Sequence, residues 1–133
     1  MRVTMKKLIL ATLLSSTALL ATGLVYAGPL YFPHVATIDS WQTEIAVINT
    51  SDQAVTGTLR GLSNAGQPID AMSITLPARG RRQITVATEL TNHTSIGYII
   101  FDTSSNTVQG YTKFYQEGIY RVAIPAVREV NTS

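Results

Sequence analysis

Breaks rich in Gly, Asn and Pro recur about every 8–12 residues after Gly28, a spacing that suits short strands joined by turns. Between them the chain is rich in Thr, Val, Ile and Tyr, which fit a pleated, half-buried surface. No stretch sustains an i, i+3, i+4, i+7 apolar pattern over several turns, so a long helix has no face on which to form. Alternation is clearest over Pro68 to Leu76, where Met72, Ile74 and Leu76 alternate with Ser73 and Thr75. Thr43 to Asn49 is apolar on both faces from Ile45 to Ile48 and reads as a central strand. Leu30 to Val35, Ala54 to Leu62, Arg82 to Val86, Ile96 to Asp102, Val108 to Tyr115 and Ile119 to Pro125 complete about eight strands. Ala87 to Ser95 is the longest loop, with room for one helical turn around Thr88–Leu90. The pattern predicts an all-β antiparallel sandwich, immunoglobulin-like in general architecture. Its core is expected to include Ile45, Val47, Leu59, Met72, Ile74 and Ile84.

Ahead of the β pattern stands a different kind of segment. Met1 to Lys7 carries Arg2, Lys6 and Lys7 without an acid, and Leu8 to Val25 is an apolar run. Val25-Tyr26-Ala27 then offers small side chains for a cut between Ala27 and Gly28, the order of a helical secretory signal peptide. A retained anchor is the competing reading, but a run of ~18 residues is near the lower limit for a span. Thr12, Ser15, Ser16, Thr17 and Thr22 weaken it further. The expected organisation is a signal peptide over 1–27, a β-sandwich domain over 28–127 and a flexible tail over 128–133. The protein is thus expected to be exported and to reside in the periplasm, at the cell surface or outside the cell. Membrane contact is expected only through the leader, before cleavage.

Absence of cysteine excludes disulfides, thiolate metal sites and a lipoprotein anchor, and suits a bacterial envelope. Three of the ten basic residues sit in the leader and all eight acids follow it, so seven cations face eight carboxylates after cleavage. Net charge therefore gives no support for a nucleic-acid partner.

Tyr31-Phe32-Pro33-His34-Val35-Ala36, followed by Trp41-x-Thr43-Glu44 and Val47-Ile48-Asn49, resembles the opening of exported bacterial β-sandwich domains of uncharacterised function. The Gly66-Gln67-Pro68 turn and the Leu76-Pro77-Ala78-Arg79-Gly80 break are similar to that group as well. These motifs are structural. The resemblance implies an accessory envelope domain and brings no catalytic residue with it.

Candidate chemistry is sparse. Gly97-Tyr98-Ile99-Ile100-Phe101 and Gly110-Tyr111-Thr112-Lys113-Phe114 share Gly-Tyr-x-x-Phe and read as a hairpin about Thr103–Asn106, with Tyr98 opposite Tyr111. That register puts Tyr98, Tyr111, Lys113 and Tyr115 on one face, a strip suited to sugars or a protein partner if it is open. After the leader, Arg79, Arg81 and Arg82 form the only basic cluster, read either as an anion site or as a solvated turn guarding an edge. His34 and His93 lie in no metal-ligand pattern, and no nucleophile elbow occurs. Three Asn-x-Ser/Thr sequons, at Asn49, Asn92 and Asn131, match the glycosylation pattern by chance in so Thr- and Ser-rich a chain. No cofactor or metal is expected. The reading is a non-enzymatic envelope module with a structural or protein-interaction role, the alternative being a carbohydrate-binding module using the tyrosine strip.

Overall fold

The computed structural model describes residues 28–128. The signal segment, the cut between Ala27 and Gly28, and residues 129–133 of the expected tail lie outside the described residues. The strands are Leu30–Phe32 (β1), Gln42–Asn49 (β2), Val55–Leu62 (β3), Pro68–Leu76 (β4), Arg81–Thr85 (β5), Tyr98–Asp102 (β6), Val108–Gln116 (β7), Tyr120–Pro125 (β8) and Val127–Arg128 (β9). Val86–Glu89 makes one α-helical turn (α1), and His93–Ser95 a 3-10 turn. Both lie in the segment expected to be the longest loop, except that α1 begins at Val86, expected as the end of the preceding strand.

Two antiparallel sheets face each other, as the alternation predicts. One has five strands in the order β4-β3-β6-β1-β9, the other four in the order β5-β2-β7-β8. β2 is a central strand, flanked by β5 and β7. Between the sheets lie Phe32, Ile45, Val47, Leu59, Ile74, Ile84, Ile99, Phe101 and Val108, all fully buried, with Val86, Leu90 and Ile96 closing one end. Met72, expected in the core, is only half-buried and packs against its margin, while Ile74 and Leu76 of the same edge strand are fully buried. Gly57 leaves the space that the Phe101 ring fills.

Buried polar side chains lock the loops. Asn49 is completely buried, and its Nδ2 donates to the carbonyls of Gln53 (2.7 Å) and Pro77 (3.1 Å). Its Oδ1 accepts from the Ser51 N–H (3.0 Å), the Ser51 hydroxyl (2.9 Å) and the Thr107 hydroxyl (3.1 Å). One amide thus ties three loops together, and its sequon is out of reach of any glycosyl transfer in the folded state. Buried Thr43 clamps Ala36 from both sides, donating to its carbonyl (2.7 Å) and accepting from its N–H (2.9 Å).

Val127, the last residue of the expected domain, and Arg128, the first of the expected tail, both pair with β1. The Arg128 guanidinium donates to the carbonyls of Gly28 (2.7 Å) and Val108, which supplies the anchoring that apolar periodicity does not.

Candidate functional site: the outer face of the four-stranded sheet

Period-2 alternation decides which side chains leave the core. In β7, Val108, Thr112 and Phe114 are buried, while Tyr111, Lys113 and Tyr115 stand half-buried on the opposite face. Cross-strand register places Ala46 beside Tyr111, Glu44 beside Lys113 and Gln42 beside Tyr115. On the other flank of β7, Arg121 lies beside Tyr115 and Ala123 beside Lys113. Through β2, Gln83 of β5 lies beside Ala46, and Arg81 beside Ile48.

The expected hairpin is not there. Tyr98 lies in β6, paired with Leu62 of β3 in the five-stranded sheet, whereas Tyr111 lies in the other sheet. β6 is flanked by β3 and β1, and β7 by β2 and β8, so neither has an edge left for the other. The segment between them crosses from sheet to sheet. Its hydroxyls bond outward, Thr103 donating to the Thr56 carbonyl (3.4 Å) and Thr107 to Asn49 Oδ1 (3.1 Å). Tyr98 is therefore removed from the strip, and Tyr111, Lys113 and Tyr115 stay together.

Two charge clusters organise this face. Glu44 is 8 % exposed, its Oε1 accepts from the Tyr115 hydroxyl at 3.0 Å, and its Oε2 meets the Lys113 ammonium. That ammonium is the sole partner of the buried Oε2 among the described residues. The Lys113 Nζ also lies 5.1 Å from the Tyr115 ring centroid, and the Arg121 guanidinium 5.9 Å from it. Burial, then the hydrogen bond to Glu44 and the charges of Glu44 and Glu117, raise the Tyr115 phenol above its ordinary value, with Arg121 opposing. With cations against its ring and its hydroxyl committed, Tyr115 is a structural member of the face rather than an open platform. The second cluster is Arg81, whose Nη2 donates to the Tyr111 hydroxyl (2.7 Å) and to Gln83 Oε1 (3.0 Å). Beside it a shallow hollow of about 170 Å³ is lined by Ala46, Ile48, Arg81, Gln109, Gly110 and Tyr111.

The arginine cluster does not converge. Arg79 sits in a left-handed turn (φ 60°) and pairs with Asp52 at 2.8 Å, while Arg82 pairs with Glu89 of α1 at 3.2 Å. Only Arg81 points onto the outer face. The histidines are also apart. His34 is exposed and its ring packs 5.2 Å from that of Phe114, while His93 lies in the 3-10 turn. Among the described residues no three His, Asp or Glu side chains lie together as metal ligands would, and no helix is long and apolar enough to cross a membrane.

Sequence reasoning missed Glu44, Arg121, Gln83 and Gln109 as members of this face. Glu44 did carry a signal. An acid at the start of a strand that is apolar on both sides requires a facing cation, and Lys113 is that cation.

No family of known proteins and no curated protein matches this chain. Among solved structures, that of Thermotoga maritima 1070 is similar at a TM-score of 0.60 and 12% identity, covering 77% of this chain and 95% of that one. At that identity the likeness is one of fold.

Proposed function

We propose that this protein is a non-enzymatic module exported to the cell envelope, and that it works by recognition through the outer face of its four-stranded sheet. One observation supports this most. Tyr111, Lys113 and Tyr115 lie outward among Arg81, Glu44 and Arg121 instead of interleaving with Val, Ile and Leu in the core. Aromatic and arginine side chains held on a rigid sheet are the groups that supply most of the binding energy at interfaces. Export is supported by the order of the leader, basic then apolar then small-x-small. Outward rings favour a ligand-binding role over a purely structural one, the ligand being an envelope protein or a glycan.

A Tyr111→Ala variant tests the reading, since Tyr115 is committed to buried Glu44. It is expected to keep most of its stability in a urea melt yet to lose retention on an envelope fraction that holds the parent. Full retention by a folded Tyr111→Ala variant would overturn the proposal. Intact mass of the exported protein is expected to start at Gly28, and a retained Met1 would refute the processing.

A further inference from the structure

We infer that Arg81 and the hollow beside Tyr111 bind the carboxylate-bearing sugar of an acidic polysaccharide, a uronic-acid residue. This rests on the reading that the outer face of the four-stranded sheet is a recognition surface, and it names the ligand.

The first ground is ion pairing. Arg60 pairs with Asp102 at 3.4 Å, Arg79 with Asp52 at 2.8 Å, Arg82 with Glu89 at 3.2 Å and Arg121 with Glu117 at 3.9 Å. Lys113 has Glu44, and Arg128 is committed to backbone carbonyls. Among the described residues no carboxylate pairs with Arg81. Neutral acceptors, the Tyr111 hydroxyl at 2.7 Å and Gln83 Oε1 at 3.0 Å, hold its guanidinium in place without cancelling its charge. The site is pre-organised and electrostatically incomplete, which is the condition for receiving an anion.

The second ground is shape. Ala46, buried at 2% exposure between Gln83 on one side and Tyr111 on the other, puts only a methyl group at the bottom of the hollow. The resulting hollow, about 170 Å³, is smaller than the usual drug-sized pocket and suits one ring of a longer chain. The third ground is lining. The Tyr111 ring and Ile48, itself 39% exposed, offer apolar surface to the C–H face of a pyranose. Gln109 supplies an amide that both donates to and accepts from hydroxyls. A planar guanidinium matches a carboxylate bidentately. A bare acidic side chain would use only the last of these groups.

Calorimetric titration of the purified protein with oligogalacturonate, its methyl ester and a Glu-rich peptide tests the assignment. The free acid is expected to bind and the ester to bind at least about tenfold more weakly, as loss of a charge-assisted contact implies. Arg81→Gln is expected to cause a similar loss. Arg60→Gln, on the other sheet, controls for net charge and is expected to leave binding unchanged. Equal binding of acid and ester, an Arg81→Gln effect no larger than that of Arg60→Gln, or no binding of the acid would overturn the inference. Tighter binding of the peptide than of the sugar would overturn it too, and would point to an acidic protein partner. If the acid fails to bind while Tyr111→Ala still loses envelope retention, the sugar assignment falls and the recognition face stands. If neither effect is seen, both fall.

Discussion

Glycine to alanine within a strand normally stabilises a protein, by about 0.4–1 kcal/mol through the unfolded chain. Gly57→Ala is expected to do the reverse. A Cβ at this position would stand 2.5 Å from Phe101 Cζ, 2.9 Å from Cε2 and 2.8 Å from the Asp102 carbonyl oxygen. Comfortable carbon contacts begin near ~3.5 Å, so ring or strand must yield by roughly 1 Å. Phe101 is fully buried and surrounded by core, and Asp102 is held by the β3–β6 ladder, so neither yields freely. Overpacking of this kind costs about 1–3 kcal/mol. A displacement of that size forced on a fully buried ring puts the cost in the upper part of this range, about 2–3 kcal/mol, and less the unfolded-state gain the net loss is about 1–2.5 kcal/mol. For a domain of this size that lowers Tm by about 5–15 °C. Urea and thermal melts measure it. Because the clash is steric, adding Phe101→Leu is expected to cost less in the Gly57→Ala background than in the parent, by roughly 0.5 kcal/mol or more. A Gly57→Ala variant as stable as the parent would refute the close approach of Gly57 to Phe101.

Three further outcomes are expected. Lys113→Met leaves Glu44 Oε2 without its cation, and since these side chains are 28% and 11% exposed the loss falls between surface and buried pairs, about 1–3 kcal/mol. Adding Glu44→Gln is expected to recover part of it, and a double-mutant cycle with no coupling would refute the pairing. Asn49→Ala is expected to cost about 2–3 kcal/mol in a urea melt by stranding the carbonyls of Gln53 and Pro77, and a change under half of that would show these loops to be held by other contacts. The Thr91 N–H, then the Ala71 N–H, hold the Asp70 carboxyl below its ordinary 3.8, so its contribution is complete above that pH and is lost as pH falls further, through the folded-state value. The stability difference between parent and Asp70→Asn is therefore expected to shrink between pH 5 and pH 2 in acid melts, and a constant difference would refute it.

Strand identity was legible in the sequence because it is local. Burial on one side of a sheet writes itself as alternation, so Ile74 and Leu76 of β4 and the doubly apolar stretch of β2 could be placed without any partner in view. That Tyr111, Lys113 and Tyr115 share one face of β7 was legible for the same reason, but parity alone does not say which face is open. Partnership between strands was not. The Gly-Tyr-x-x-Phe repeat and a short loop are compatible with a hairpin, and nothing local says that β3 and β1 already occupy both edges of β6. Charge was equally undetermined. Arg79, Arg81 and Arg82 are a cluster in sequence, but two of them are claimed, Arg79 by Asp52 of a loop 27 residues away and Arg82 by Glu89 of the helical turn that follows β5. Alternation is a property of one segment and its solvent, and the sequence determines it alone. Register across strands, and which cation is left without a carboxylate, follow from how two sheets share their edges, and tertiary packing decides them.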